Sequence, residues 1–143
     1  MPIPTPEPGL VISYAYLWTR EARSGREEGR KDRPSVIALA VERQDDGATL
    51  VTVLPITHRQ PDDAAAAVEI PPAVKGHLRL DDVRSWVVVS EGNLFVWPGY
   101  DLRKLRNTDR YDYGYLPPSF FAEVLAAFRA WRGAHKVVLT PRS

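Results

Sequence analysis

Leu50-Val51-Thr52-Val53-Leu54-Pro55-Ile56-Thr57-His58 is the stretch whose reading decides the fold. Val51, Val53 and Leu54 favour a strand, and Thr52 suits a pleated surface. Pro55 brings no backbone N–H, so ladder pairing is expected to weaken there or to persist only at an edge or bulge. Beyond it the chain presents a hydroxyl, Thr57, and an imidazole, His58. A rigid strand that ends in two polar side chains is a way to hold a site in place.

Working outward, Gln44-Asp45-Asp46-Gly47 is a turn of the Asp-Gly kind that feeds this strand from another, Ser35 to Val41. Upstream, Leu10 to Trp18 reads as the first strand. Between the two lies the polar stretch Thr19 to Arg33, which has no apolar periodicity and reads as a long loop of the functional or disordered sort. Met1 to Gly9 alternates Pro2, Pro4, Pro6 and Pro8 with other residues and reads as an extended arm. The single folded domain is therefore expected to span 10–143.

Downstream, Arg59 to Ala67 reads as loop and Val68-Glu69-Ile70 as a short strand. Pro72 to Leu78 reads as one helical turn stopped by Gly76. Ser85 to Val89 is a strand, Gly92-Asn93 a turn or bulge, and Leu94 to Trp97 a resumption of strand. Asp101 to Arg106 reads as an edge strand and Tyr111, Tyr113 and Tyr115 as loop residues. Ser119 is a good N-cap, and Phe121, Val124, Leu125, Phe128 and Trp131 recur at helical spacing. That predicts a helix near 119–132, stopped by Gly133. Short strands followed by one helix predict a mainly β fold, a small barrel with a C-terminal helix laid against it.

Composition narrows the chemistry. The 143-residue chain is 44% hydrophobic and 26% charged, ordinary values for one globular domain. It has no cysteine, which excludes disulfides, thiolate metal sites and cysteine nucleophiles, and which fits a reducing cytosol. Met1 to Gly9 has neither a basic start nor an apolar run, so it does not read as a secretory signal. No apolar run approaches the length of a membrane span. With a net charge of only +1, affinity for nucleic acid would have to come from local patches. There is no glycine-rich phosphate loop, no nucleophile elbow and no His-x-x-x-His pair, so no metal or cofactor site is expected. His77 and His135 read as surface or partly packed histidines.

What remains is a set of polar groups at strand ends: Glu28 and Arg33 before the second strand, Thr57 and His58 after the third. Taken singly, each is an ordinary solvated charge or loop cap. Taken in order they carry a resemblance. Gly9-Leu10-Val11-Ile12, Glu28 ahead of Arg33-Pro34, Val53-Leu54-Pro55-Ile56-Thr57 and Val68-Glu69-Ile70 are similar to the motif series of the MazF/PemK toxin family. The similarity runs from about Gly9 to Trp97, with the helix in the expected place.

The resemblance implies an SH3-like barrel of the type shared by MazF, PemK and the gyrase-poisoning CcdB toxins. It implies a cytoplasmic homodimer and a metal-independent endoribonuclease, the toxin of a type II toxin–antitoxin pair. Its substrate would be single-stranded RNA, its partner a cognate antitoxin. Arg33 matches the family's catalytic arginine and Thr57 its catalytic threonine. Glu28 and Glu91 fall at or near acidic positions that assist in some members. Attack of a ribose 2′-hydroxyl on phosphorus needs a base, an acid and donors to the phosphorane, and His58 is a further candidate for the proton transfers. Arg20, Arg23, Arg26, Arg30 and Lys31 would follow the RNA backbone, with Tyr111, Tyr113, Tyr115 or Trp97 as stacking surfaces. The chain departs from the family pattern at Leu10, His58 and Val89, and in its longer, more charged 19–33 stretch. An SH3-like binding module without chemistry, or a toxin fold acting on a protein target, is the alternative.

Overall fold

The computed structural model describes residues 3–25 and 31–142. Along the chain come β1 (Leu10–Tyr14), α1 (Thr19–Arg23), β2 (Arg33–Glu42), β3 (Thr49–Thr57) and a 3-10 turn (Ala64–Ala66). These are followed by β4 (Ala67–Glu69), α2 (Pro72–His77), β5 (Trp86–Val88), β6 (Glu91–Val96) and β7 (Asp112–Tyr115). The chain ends with α3 (Pro118–Ala134) and β8 (Val138–Pro141). The architecture is a mainly antiparallel sheet with one long helix near the C-terminus, as the sequence predicts at that level. The strand path β4-β5-β3-β2-β1-β7 is open, and β6 branches from β3 and takes β8 as a parallel neighbour.

The stretch from Leu50 sits at the centre of this sheet and is buried on both faces. Alternation along the strands explains how. Val36, Leu54 and Ile56 point to one side, where Phe120, Val124 and Phe128 of α3 cover them. Ile12, Tyr14, Ile37, Val51 and Val53 point to the other, where Tyr16, Trp18 and Phe95 complete a second cluster. Each fully buried apolar side chain of this size contributes about 1.5–3 kcal/mol. The helix packs through Phe120 as well as the predicted stripe, and Phe121, Leu125 and Trp131 lie at its margins.

Pro55 stands where β3 changes partners. On one edge β3 pairs with β2 from Thr49 to Pro55, with a register shift between Ile37 and Leu39, and Ser35 lies opposite Pro55. On the other edge Leu50 to Val53 pair with β6, whereas Ile56 and Thr57 pair with β5. Val53 and Ile56 are three steps apart on β3, but their partners Asn93 and Val87 are six steps apart. The β5–β6 side therefore carries three extra residues, a bulge built from the Val89–Ser90–Glu91 region. The residue without an N–H occupies the place where that edge has no partner.

Several local readings are corrected. The first strand ends at Tyr14, and α1 occupies part of the polar stretch read as loop. Gly76 lies inside α2 and Gly133 inside α3, so neither stops its helix; the caps are Leu78 and His135. Gly92 and Asn93 are strand residues of β6, not a turn. Asp101 to Arg106 makes only a single bridge, Leu102 to Tyr14, and the tyrosine stretch supplies β7 as an edge partner of β1. The proline arm is tied down where it is described: Trp97 Nε1 donates to Pro4 O at 3.1 Å and the Tyr115 hydroxyl donates to Glu7. Among the described residues no helix is long and apolar enough to cross a membrane.

Candidate active site

Three strand irregularities bring the site together. Arg33 opens β2, Thr57 closes β3, and Glu91 stands at the bulge where β5 gives way to β6. All three line one cavity of about 430 Å³, together with Trp18, Arg20, Arg59 and Ser90. Continuing the Ser35–Pro55 register by two residues on each strand leads to Arg33 and Thr57, so both fall on the same face.

Arg33 is half-buried and its guanidinium carbon lies 5.0 Å from the centre of the Trp18 ring. Arg20 approaches the same ring at 5.3 Å. Stacking on an indole fixes the plane of the guanidinium fork and leaves its edge N–H groups for a ligand. Arg33 Nε is buried and has no hydrogen-bond partner among the described residues. Burial lowers the Arg33 pKa from its ordinary value, with the Glu21 carboxylate acting in the opposite sense. The Thr57 hydroxyl oxygen accepts from Arg59 N at 3.2 Å, which leaves its own proton free to be donated.

Glu91 is held by residues far away in sequence. Its Oε1 accepts from the Tyr16 hydroxyl at 3.0 Å and from Thr19 N at 2.9 Å. One step along β6, Gly92 lets the strands approach; a Cβ there would lie 2.8 Å from Val53 O. Asn93 then bonds Leu17 in both directions, Leu17 N to Oδ1 at 2.9 Å and Nδ2 to Leu17 O at 2.8 Å. Arg142, at the end of β8, donates to Ala15 O at 3.0 Å and pairs with buried Asp101 at 2.8 Å. This buried polar frame fixes the run Ala15–Trp18, and through Trp18 it fixes Arg33.

His58 is placed differently. His58 lies one residue past the end of β3 and borders a separate cavity of about 250 Å³ that also has Lys31, Asp32 and Arg33 in its wall. Its Nε2 lies 2.9 Å from Asp81 Oδ2. Arg33 is thus the shared wall between the Thr57 side and the His58 side.

Of the expected RNA-contacting groups, Arg20 and Lys31 reach cavity walls, whereas Arg23 is an exposed residue of α1. Glu28, Arg26 and Arg30 lie outside the described residues. The tyrosines and Trp97 do not line the Arg33 cavity. Tyr111 and Trp97 pack against the second core cluster instead. Trp18, Tyr16 and Arg59 were not singled out from the sequence. The signal in the sequence is an aromatic, Trp18, two residues ahead of Arg20 and just before α1. Among the described residues no group of three or more His, Asp or Glu side chains could hold a metal ion.

No family model, no curated protein and no solved structure matches the chain.

Proposed function

We propose that the protein is a metal-independent endoribonuclease of the MazF/PemK kind, built on an SH3-like barrel and acting on single-stranded RNA. The single observation that carries the reading is the convergence of Arg33, Thr57 and Glu91 on one cavity, with the buried Arg33 Nε unpartnered among the described residues. In the reaction the 2′-oxygen attacks phosphorus, the 2′-O–P bond forms and the P–O5′ bond breaks. The Glu91 carboxylate takes the 2′-hydroxyl proton. Arg33 and the Thr57 hydroxyl donate to the non-bridging oxygens as charge builds on the phosphorane. Arg20 and Arg59 supply positive charge along the backbone on either side. In keeping with the resemblance, the working form would be a cytoplasmic homodimer that a cognate antitoxin neutralises.

The test is cleavage of a single-stranded RNA oligonucleotide in excess chelator, with product ends analysed for 2′,3′-cyclic phosphate. Arg33→Ala, with its circular dichroism unchanged, should slow cutting by about 100-fold or more. Undiminished cutting by that variant refutes the site. A second reading, an SH3-like binding module without chemistry, is favoured by the use of Glu91 Oε1 as a structural acceptor for Tyr16 and Thr19. Retention of RNA without any cleavage would select it.

A further inference from the structure

Behind His58 lies a chain of polar groups that the proposed reaction has not used. Lys75, on α2, is buried, with its side chain only 7% exposed. Its ammonium donates to Asp81 Oδ1 at 2.7 Å, to Ser85 Oγ at 2.7 Å and to Val83 O. Asp81 Oδ1 also accepts from Val83 N at 3.1 Å, while Oδ2 faces His58 Nε2. An ammonium taken out of water needs such partners, and the carboxylate it holds is fixed in place. The Lys75 hydrogen bond also lowers the Asp81 pKa, so this carboxylate stays ionised throughout neutral pH.

Given the ribonuclease reading above, on which this inference rests, we propose that His58 is the general acid that protonates the leaving 5′-oxygen. Asp81, itself anchored by Lys75, is the positioning residue that sets the tautomer and angle of its ring. A carboxylate that accepts from Nε2–H leaves Nδ1 as the nitrogen that exchanges a proton with substrate. In an in-line displacement the entering and leaving oxygens lie on opposite sides of phosphorus. Glu91 and Thr57 line one cavity and His58 another, and Arg33 is common to both walls, so the proposal seats the phosphate at Arg33. As the P–O5′ bond breaks, its electron pair stays on the 5′-oxygen, which takes the Nδ1 proton; Glu91 holds the proton from the 2′-hydroxyl, and water restores both groups. The other charged groups facing His58 are Lys31, Asp32 and Arg33 across its cavity, with Asp32 drawn toward Arg103 at 3.7 Å. Tyr113 is within electrostatic reach of both Asp32 and Asp81.

The decisive experiment compares an ordinary RNA with one carrying a bridging 5′-sulfur at the cleavage point, a leaving group that needs no proton. His58→Ala should cut the ordinary RNA about 100-fold more slowly than the wild type, and Asp81→Asn about 10-fold more slowly. Both should cut the 5′-thio substrate at close to the wild-type rate, whereas Arg33→Ala should be slow on both. Nitrogen-15 NMR of the wild type should show the Nε2–H tautomer of His58. Slow cutting of the thio substrate by His58→Ala, or normal cutting of ordinary RNA, overturns the acid role and leaves the ribonuclease reading standing. An Nδ1–H tautomer overturns the positioning role of Asp81. No cutting of either substrate by the wild type overturns the ribonuclease reading itself.

Discussion

Tyr14 and Tyr16 lie two residues apart in the same buried cluster, yet their hydroxyls are used in opposite ways. The Tyr16 hydroxyl donates to Glu91 at 3.0 Å, whereas the Tyr14 hydroxyl is buried and makes no hydrogen bond to the described residues. Replacing each by phenylalanine removes one oxygen and leaves the ring packing alone. A hydrogen bond to a charged group contributes about 1.5–3 kcal/mol, and Glu91 is only half-buried, so Tyr16→Phe should cost about 1.5 kcal/mol. An unpartnered buried hydroxyl is itself a penalty of about 1–3 kcal/mol in proteins. Some of that gain is offset by the contacts the Tyr14 oxygen makes, so Tyr14→Phe should range from neutral to about 2 kcal/mol more stable. Urea unfolding followed by tryptophan fluorescence measures both. Equal losses in the two variants would refute the reasoning, because they would mean that ring packing alone sets both values.

High pH gives the same pair a second test. Burial raises the pKa of both phenols well above the ordinary 10.0; for Tyr16 the Glu91 carboxylate adds to the effect. The folded values are raised, so the neutral phenols stabilise the fold fully below about pH 10, where the unfolded chain also keeps its protons. Above pH 10 the unfolded chain ionises first, and stability is lost with a slope that rises toward about 1.4 kcal/mol per pH unit for each phenol. Each Tyr→Phe substitution should remove one such contribution from the slope between pH 10 and 11. An unchanged slope would show that these phenols ionise in the folded state.

Two other perturbations address the frame behind the site. Asp101→Ala strands the buried Arg142 charge and should cost about 3–5 kcal/mol, while Asp101→Leu combined with Arg142→Met should lose less than the two single changes added. Strict additivity in urea unfolding would show that the pair is not coupled. Gly92→Ala forces a methyl group against the Val53 carbonyl and should cost about 1–3 kcal/mol by thermal or urea unfolding, with a loss below about 0.5 kcal/mol counting against the close approach.

The parts of the fold legible in the sequence are those where local pattern and tertiary packing agree. The β2–β3 hairpin is one: its turn is closed by Arg43 N to Ala48 O at 2.7 Å, and Gly47 takes a positive φ of 69°. The helical stripe of α3 is another. The parts that were illegible owe their structure to distant partners. α1 is a short polar helix whose first turn is held by Glu21 on Trp18 N and by Glu91 on Thr19 N. Gly92-Asn93 has turn composition, yet Asn93 is fully buried because Leu17 satisfies both ends of its amide. β8 contains too little alternation to announce itself and exists as a parallel neighbour of β6. The same contrast holds at the site. Arg33, Thr57 and Glu91 could be singled out from the chain, but the Trp18 ring that orients Arg33 and the Lys75–Asp81 pair behind His58 could not. Those roles depend on which strands meet.

The location of the site follows from a defect in the sheet. A strand paired evenly along both edges would bury Thr57 and give a guanidinium no room. Here Pro55 withholds a donor at the step where β3 passes from β6 to β5, and three extra residues on the opposite side place Glu91 in the wall of the cavity that Thr57 also lines. The apolar alternation on either side of Pro55 is uninterrupted, Val51 and Val53 facing one cluster and Leu54 and Ile56 the other. Core packing therefore holds the register while the edge pairing is broken, and the polar groups at the break are fixed by a rigid frame. The proposed reaction on RNA would need donors and proton-transfer groups set on both sides of one phosphate. A partner switch in a central strand serves that proposal, because the residues after it, Thr57 and His58, line two cavities that share Arg33.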